Sequence, residues 1–353
     1  MKTVAIGMSG GVDSSVSALL LKNLGYNCIG LFMKNWEEEG GPCAAAKEFE
    51  DVVRVCEKIG IPYYSVHFVE EYRERVFAQF LADFEAGLTP NPDILCNKEI
   101  KFDLFLAKAL ELGADFLATG HYCRLDERKR LLRGLDPAKD QSYFLHAVKQ
   151  EAFRKVLFPI GHLLKKEVRA IAKEYGLPTA EKKESTGICF IGKRKFKPFL
   201  SQFLQGKPGP FKTLSGEVVG EHDGAAFYTI GQRKGMGLGG EGDAWYVVGK
   251  DPSQNIVYVE RGADHPALFC KELKTKSLTW VAEEPDYPLR CSAKIRYRGA
   301  DAPCTLYETG EVVFDEPQRA ITPGQSIVFY LKEVCLGGGV ISLKRFDAKL
   351  PML

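Results

Sequence analysis

The sequence predicts an α/β protein with a parallel-sheet N-terminal domain, a small central domain that is mostly β, and a C-terminal β-barrel. Three observations support this fold class. Strand and helix signals alternate through the first half of the chain, a glycine- and proline-containing segment then interrupts them, and strand and turn signals dominate the remainder. Alternating β and α elements are typical of a parallel sheet covered by helices on both faces. We therefore predict domains at residues 1–204, 205–272 and 273–353.

The helices and strands of the first domain are predicted from hydrophobic periodicity, and the helix ends are predicted from glycines. Apolar residues at helical spacing predict helices, and short apolar runs predict buried strands. Glycine is the preferred residue just beyond the C-terminus of a helix, so Gly25, Gly60 and Gly113 mark predicted helix ends. The predicted strands cover residues 3–8, 27–33, 62–68 and 115–119, and the predicted helices cover residues 14–24, 45–59, 70–85, 102–112, 165–175 and 195–204.

Beyond the first domain, the segment Gln205–Pro210 predicts a linker, because glycine and proline break regular structure. From about residue 273, short alternating segments predict the strands of a small barrel. Within this region, Lys294, Arg296 and Arg298 alternate, so on one strand they would form a basic stripe suited to a phosphate backbone. A solvated outer face of the barrel explains the same spacing equally well.

Composition narrows the class of protein. The chain has 353 residues and a formal net charge of +2, so any nucleic-acid site must be a local patch. Neither a signal peptide nor a membrane-spanning run is evident, and we expect a cytoplasmic protein with no membrane association. None of the ten cysteines belongs to a C-x-x-C pair, so the spacing predicts no metal site. Most of these thiols are expected to be small buried hydrophobes.

A glycine-rich turn follows the first predicted strand. Residues 9–15 are Ser-Gly-Gly-Val-Asp-Ser-Ser and lead directly into a predicted helix. Glycines let the backbone turn tightly, while the helix N-terminus and the hydroxyls supply donors, so the turn predicts a phosphate site. The lysine of the Walker pattern is absent, so γ-phosphate hydrolysis of the usual P-loop type is not implied. The alternative to a phosphate site is a plain strand-to-helix turn with a capping serine. Ligands of parallel sheets bind at C-terminal strand ends, where Met33 and Gly120 could line an adenine pocket.

Two cysteines have unusual surroundings. Cys96 follows the segment Pro90–Pro92, whose prolines predict a rigid loop, and it would begin the next helix, where a thiolate is favoured. Cys189 lies between glycines in a segment, residues 182–197, that carries six basic residues against one acidic residue, a local charge of +5. Such a segment lowers the pKa of a thiol and attracts a phosphate backbone. A partly buried structural thiol and a solvated basic surface are the respective alternatives.

The turn at residues 9–15 resembles the PP-loop of ATP pyrophosphatases, which cleave ATP between the α- and β-phosphates and adenylate a substrate oxygen. Longer motifs, N-P-D-I-L-C-N-K-E-I-K-F at 91–102, G-A-D-F-L-A-T-G-H-Y at 113–122 and S-T-G-I-C-F-I-G at 185–192, resemble bacterial tRNA-specific 2-thiouridylases. The resemblance covers essentially the whole chain, and the segment Glu37–Cys43 is the main departure. The competing hypotheses are another adenylating PP-loop enzyme, such as lysidine synthetase or an amidotransferase-type synthetase, and a non-enzymatic nucleotide- or RNA-binding module. Those other enzymes do not need two cysteines on separate loops.

The resemblance implies an adenine nucleotide alpha hydrolase-like first domain, ATP with Mg²⁺ as cofactors, and thiolation of the wobble uridine (position 34) of a tRNA partner. A persulfide sulfur-donor protein is implied as well, and we expect a monomer. By matching motifs, Cys189 would carry a persulfide, Cys96 would be its partner nucleophile, and Asp93 would donate or accept a proton. The implied ATP-binding residues are Gly7, Met8, Ser9, Gly10, Gly11, Val12, Asp13, Ser14, Met33 and Gly120. The implied residues for tRNA and its target base are Asn91, Pro92, Asp93, His121, Lys139, Asp140, Gln141, Arg296, Tyr297 and Gln325.

Overall fold

The computed structural model describes residues 1–37, 44–183 and 196–344. The N-terminal strands are β1 (Thr3–Met8), β2 (Asn27–Lys34), β3 (Tyr63–His67), β4 (Phe116–Thr119), β5 (Cys123–Leu125), β6 (Leu131–Arg133) and β7 (Val156–Leu157). The helices are α1 (Val12–Asn23), α2 (Ala44–Ile59), α3 (Val69–Tyr72), α4 (Ala78–Glu85), α5 (Pro92–Leu95), α6 (Phe105–Glu111), α7 (Gln150–Phe153), α8 (Lys165–Glu174) and α9 (Phe196–Leu200). Five strands form one parallel sheet in the order β3-β2-β1-β4-β7. The predicted parallel sheet is confirmed, and β7 is a further strand that the periodicity did not indicate.

The parallel sheet is buried on both faces, because successive residues of its central strand enter different cores. Ala5 of β1 packs with the aromatic residues Phe102 and Phe105, whereas Val4 and Ile6 pack with residues of α1 and α2. Continuous apolar strands are expected when helices cover both faces of a sheet. The carboxyl ends of the strands are then the place where a polar site can form.

The helix that we predicted for residues 102–112 begins already at Pro92 and continues to Glu111. Proline is compatible with the first helical position, because the first N–H groups of a helix have no partner within the helix. The Asn91 side chain caps this end by accepting a hydrogen bond from Asp93 N at 3.1 Å. Cys96 therefore lies in the second turn and has no exposed surface (0%), so the prediction that it begins the helix is wrong. A π-helical stretch starts at Cys96, a feature often found at functional sites.

The second half of the described chain is almost entirely β. A central four-stranded sheet contains β8 (Gly209–Lys212), β9 (Val218–His222), β10 (Trp245–Asp251) and β11 (Ile256–Arg261). The C-terminal strands are β12 (Phe269–Trp280), β13 (Leu289–Lys294), β14 (Ala302–Leu306), β15 (Glu311–Arg319), β16 (Ser326–Leu331) and β17 (Val334–Lys344). These six strands run in the order β12-β15-β14-β13-β16-β17 and close through a β12–β17 pairing, which confirms the predicted barrel. Strand β12 passes through the predicted boundary at residue 272, and the two domain boundaries remain predictions.

Two short strands of the first domain extend the barrel sheet. Strand β6 pairs with β17, Leu132 lying opposite Val334, and β5 pairs with β6. The Arg133 guanidinium lies 3.6 Å from the centre of the Tyr330 ring in β16. This contact joins the end of β6 to the barrel. In the described part of the chain, no helix has the length and apolar character needed to cross a membrane.

The basic stripe predicted near the end of the chain does not form. Strand β13 ends at Lys294, and the chain then turns, with Gly299 N donating a hydrogen bond to Arg296 O at 2.9 Å. The turn brings Ala302 opposite Ala293 in the next strand. Three side chains that share a face of an extended strand do not share one in a turn, so the stripe is a wrong prediction.

Candidate active site

The glycine-rich turn connects β1 to α1 at the carboxyl edge of the parallel sheet. Gly10 has a φ of +68°, and a Cβ at this position would lie 2.6 Å from Glu48 O. Both facts require glycine, because other residues are strained in the left-handed region and the space is filled by backbone. At the end of β4, a Cβ on Gly120 would lie 2.8 Å from Ser14 N. The structure thus brings Gly120 directly against the turn.

The hydroxyl groups of the turn mainly bind the turn itself. The Ser14 hydroxyl accepts a hydrogen bond from Ser9 N at 3.2 Å and donates one to Gly11 O at 3.1 Å. Gly11 is the N-cap of α1, and it has no side-chain group to bond to the first N–H groups of this helix. Those N–H groups and the positive end of the helix are the features that bind phosphate at helix N-termini.

Two lysines from distant parts of the sequence meet at this turn. Lys165 Nζ, at the start of α8, lies 2.7 and 2.8 Å from the two carboxylate oxygens of Asp13. The Tyr122 hydroxyl donates to Asp13 Oδ1 at 2.7 Å. Lys182 Nζ donates to Gly10 O at 2.8 Å and to Asp51 Oδ2 at 2.5 Å. The turn therefore has two cations beside it although it lacks a Walker lysine.

The segment before residue 184 is tied to the same turn. Thr179 Oγ1 donates to Ser15 Oγ at 2.9 Å. The Arg169 guanidinium donates to Ala180 O at 2.8 Å and to Lys182 O at 3.1 Å. These bonds hold the backbone around Lys182 in place, so that its side chain reaches the turn.

A second group of predicted residues surrounds the N-terminus of the Pro92–Glu111 helix. Asn97 Nδ2 donates to Asp93 O at 2.9 Å and to Phe144 O at 3.4 Å. The Phe144 ring packs on Tyr297, with ring centres 4.3 Å apart. Tyr297 is one of the barrel residues that the resemblance implied for tRNA binding. The structure therefore brings the Asn91–Asp93 end of the helix and the barrel turn to the same region.

The barrel also contacts the chain just before Asn91. Gln325 Nε2 donates to Thr89 O at 2.7 Å, and Thr89 N donates to Pro323 O at 3.0 Å. Gly324 has a φ of +90°, and a Cβ there would lie 2.6 Å from Thr89 N. Only glycine allows this approach. The Gln325 amide nitrogen is thus bonded to the backbone that leads into the helix.

Asp140 and Gln141 connect the two groups of residues. The Asp140 carboxylate is 5% exposed and accepts hydrogen bonds from Gly134 N and Ser142 N, both at 3.0 Å. Gln141 Oε1 accepts from Tyr122 N at 2.9 Å, and Gln141 N donates to Tyr122 O at 3.0 Å. These bonds order the loop between Tyr122, which contacts Asp13, and Phe144, which contacts Asn97. The predicted tRNA contacts of Asp140 and Gln141 remain predictions.

Comparison with known proteins identifies the family. The family described as "tRNA methyl transferase HUP domain" matches residues 2–193, "tRNA methyl transferase PRC-barrel domain" matches 197–261, and "Aminomethyltransferase beta-barrel domain" matches 270–341. The tRNA-specific 2-thiouridylase MnmA of Protochlamydia amoebophila is 61% identical, covering 96% of this chain and 93% of the relative. The same-named protein of Bacillus subtilis is 55% identical, and the match covers 96% of this chain and 94% of that relative. The chain belongs to the tRNA-specific 2-thiouridylase family.

Other predicted site residues of this 2-thiouridylase family member are part of the protein core. His121 is 8% exposed, and its Nδ1 lies 2.8 Å from Thr119 Oγ1. Burial, together with the positive charge of Lys101, holds the pKa of His121 well below its ordinary value, so the ring is neutral at physiological pH. Met33, near the end of β2, is 7% exposed. Met8 and Val12 are buried as well, and Lys139 is half-buried, while Cys189 lies outside the described residues.

Sequence reasoning missed several residues that contact the turn in this 2-thiouridylase family member. Lys165 carried a usable signal, because a cation in the first turn of a helix opposes the positive end of the helix dipole unless a carboxylate compensates it. In the sequence, Lys182 stands out only as one member of a basic segment. Tyr122 closes the G-A-D-F-L-A-T-G-H-Y motif, but its hydroxyl partner is 109 residues away along the chain. No periodicity indicates a contact at that separation.

Proposed function

We propose that this chain catalyses the ATP-dependent 2-thiolation of the wobble uridine (position 34) of tRNA. The observation that carries the proposal is an ATP-type phosphate turn at Ser9–Ser15 in a chain that is 61% identical to a tRNA-specific 2-thiouridylase. The family descriptions speak of tRNA methyl transfer, but replacing the uracil C2 oxygen by sulfur is the reaction that explains an ATP site. This oxygen is a poor leaving group until it is activated.

ATP activates the oxygen by adenylation. The C2 oxygen attacks the α-phosphorus of ATP, the bond between the α- and β-phosphates breaks, and pyrophosphate leaves. The N–H groups at the start of α1 bind phosphate oxygens, and Lys165 and Lys182 offset their negative charge. Gly7 to Ser14, Met33 and Gly120 form the proposed ATP site.

Mg²⁺ is the expected companion of ATP. In the ranges that the structure describes, no three His, Cys, Asp or Glu side chains stand close enough to hold a metal ion by themselves. Mg²⁺ does not need such a cluster, because it is usually held by one or two carboxylates together with substrate phosphates. Asp13 is the carboxylate of the turn and would hold the ion once its contact with Lys165 Nζ opens, and the ion would neutralise phosphate charge.

Sulfur then replaces the adenylated oxygen. The terminal sulfur of a Cys189 persulfide attacks C2, and the C2–O bond breaks with departure of AMP. The Cys96 thiolate attacks Cys189 Sγ, so a Cys96–Cys189 disulfide forms while the transferred sulfur stays on C2. The two thiols are oxidised and the sulfur is reduced to the level of sulfide, so a reductant must restore the pair. Asp93 donates or accepts the proton that this exchange requires.

The target base must leave the anticodon stack to reach these groups, as in other base-modifying enzymes. Asn91, Pro92 and Asp93 stand at the end of a helix beside the barrel turn that carries Tyr297, which supports their role at the base. We further propose that a persulfide donor protein loads Cys189. The three domains would act together in a cytoplasmic monomer.

A reconstituted reaction tests the proposed function. Purified protein, ATP, unmodified tRNA, a persulfide sulfur donor and dithiothreitol are expected to release pyrophosphate only when tRNA is present, and 2-thiouridine should appear in the digested tRNA. Pyrophosphate release with lysine incorporation would instead indicate a lysidine synthetase. The absence of any tRNA-dependent pyrophosphate release would favour a non-enzymatic binding module.

Replacing Lys165 by alanine is expected to lower kcat/KM for ATP by about 10- to 100-fold, because Asp13 loses its cation and the phosphates lose a compensating charge. The measurement is initial-rate pyrophosphate release as a function of ATP concentration. Lys166→Ala is the matched control, since the adjacent Lys166 is exposed. Equal losses in both variants would contradict the proposed role of Lys165.

The barrel turn supplies a binding prediction. Arg296 is exposed beside Tyr297, so Arg296→Ala is expected to weaken tRNA binding and to reduce the salt dependence of log Kd by about one unit of slope. Filter binding at several salt concentrations measures both. Lys276→Ala, an exposed barrel lysine on β12, is expected to leave the slope unchanged. An unchanged slope for Arg296→Ala would mean that Arg296 is only solvated surface.

A further inference from the structure

Two barrel cysteines lie directly opposite each other on neighbouring strands. Cys291 of β13 pairs with Cys304 of β14 in the antiparallel register. Their sulfur atoms are 3.8 Å apart, and both residues belong to the barrel core, with 7% and 0% exposure. The proposed thiolation uses neither of them.

The backbone between these strands is already compatible with a covalent bond. Opposed residues of antiparallel strands have Cα atoms about 4.5 to 5.5 Å apart, which falls within the range of disulfides. The sulfur atoms need to approach from 3.8 Å to about 2.05 Å, a change that side-chain rotation supplies without moving a strand far.

The two thiols also differ in acidity in the way that oxidation requires. A hydrogen bond from the Cys304 thiol lowers the pKa of Cys291, burial partly opposes this shift, and the neighbouring Arg290 guanidinium lowers the pKa further. The same bond and burial raise the pKa of Cys304. Cys291 is therefore the more acidic thiol of the pair, and the thiolate is the reactive form of cysteine.

We propose that Cys291 and Cys304 form an oxidation site that closes to a disulfide with a small peroxide oxidant. The Cys291 thiolate attacks one oxygen of hydrogen peroxide, the O–O bond breaks, and a sulfenic acid and water result after protonation. Cys304 sulfur then attacks the sulfenic sulfur, the S–O bond breaks, and a second water leaves. In sum, two thiols are oxidised to one disulfide while one peroxide is reduced to two waters.

The bond would join the two strands of the hairpin that carries Arg296 and Tyr297 at its turn. Tyr297 packs on Phe144, whose carbonyl oxygen accepts a hydrogen bond from Asn97. The oxidation site therefore lies in the hairpin whose turn contributes Tyr297 to the proposed base-binding region. Any effect of this oxidation on tRNA binding rests on the proposed function, whereas the oxidation of the cysteine pair does not.

Peptide mass mapping of the full-length protein tests the proposal. The protein is treated with hydrogen peroxide, remaining thiols are blocked with N-ethylmaleimide, and trypsin is added. The expected product is the peptide Cys291–Lys294 joined to the peptide Gly299–Arg319, lighter by two hydrogen atoms than the separate peptides and split by dithiothreitol. N-ethylmaleimide on both cysteines after oxidation, or a bond from Cys291 to another cysteine, would overturn the proposal.

Variants provide the controls. Cys304→Ser is expected to remove the joined peptide, whereas Cys270→Ser, a half-buried cysteine on β12, is expected to retain it. The decisive measurement uses the unmutated protein, so it does not depend on how either variant folds. Because the readout is a mass and not 2-thiouridine, a failed oxidation site leaves the proposed function standing, and a failed thiolation assay leaves the oxidation site standing.

Discussion

Replacing Cys189 by serine is expected to abolish tRNA thiolation while tRNA-dependent pyrophosphate release continues. A serine hydroxyl forms no persulfide, so the adenylated base has no sulfur nucleophile and the rate of 2-thiouridine formation should fall by more than about 10³-fold. Adenylation depends on the turn at Ser9–Ser15 and should stay within about threefold of the unmodified rate. Pyrophosphate release and nucleoside analysis of the same reaction measure the two steps separately.

The controls for this experiment are the other cysteines. Without an added thiol reductant, Cys96→Ser is expected to release no 2-thiouridine even in a single turnover while pyrophosphate release is retained, because it removes the thiolate that attacks Cys189 Sγ. Cys270→Ser, which changes a free cysteine with no role in the proposed chemistry, should thiolate normally. Thiolation by the Cys189→Ser variant would refute the persulfide role.

Gly10→Ala is expected to destabilise the protein and to disable the ATP step. An alanine at a φ of +68° costs about 1 to 2 kcal/mol, and its Cβ would also lie 2.6 Å from Glu48 O, so the turn must shift. A displacement of about 1 Å at a catalytic turn lowers rates by about 10²-fold. Urea unfolding and pyrophosphate release are the two measurements.

Gly11→Ala is the matched control for stability. Gly11 has a φ of −98°, and the nearest atom to a Cβ there is Ser9 Oγ at 3.4 Å. The substitution should therefore change the free energy of unfolding by less than about 1 kcal/mol. Similar destabilisation by both alanines would show that the conformation of Gly10 is not the cause.

Much of the N-terminal fold follows from local sequence: the predicted ends of β1 to β4 and of α1, α2 and α8 lie within two residues of those observed, whereas β5, β6, β7 and α7 are not predicted. The exception near the site is the Pro92–Glu111 helix, whose start was placed at residue 102. Two prolines near Asn91 suggested a loop, yet proline is acceptable in the first helical turn and the Asn91 side chain caps it. The burial of Cys96 depends on what packs around that helix, which no local pattern reports.

The barrel turn at Arg296 and Tyr297 is a second feature that the local sequence did not predict. The alternation of Lys294, Arg296 and Arg298 is a valid strand pattern, but the strand ends where the chain must turn back to pair β13 with β14. Register between strands is decided by the closure of the whole barrel. The conclusion about Arg296 and Tyr297 therefore rests on their place beside Phe144 and not on a shared strand face.

The sequence by itself determined the glycine-rich turn at Ser9–Ser15, the family to which the chain belongs and the two cysteines proposed for sulfur transfer. Each of these features is recognised from contiguous residues. A strand, a turn and a helix N-terminus are local structures, and the family motifs are continuous segments. Only the tertiary structure decided that Lys165, 152 residues from Asp13, pairs with it, and that Gln325 bonds to Thr89, 236 residues away. Such contacts depend on packing between elements that are distant in sequence, and so the environment of the turn at Ser9–Ser15 could be known only after the chain was folded.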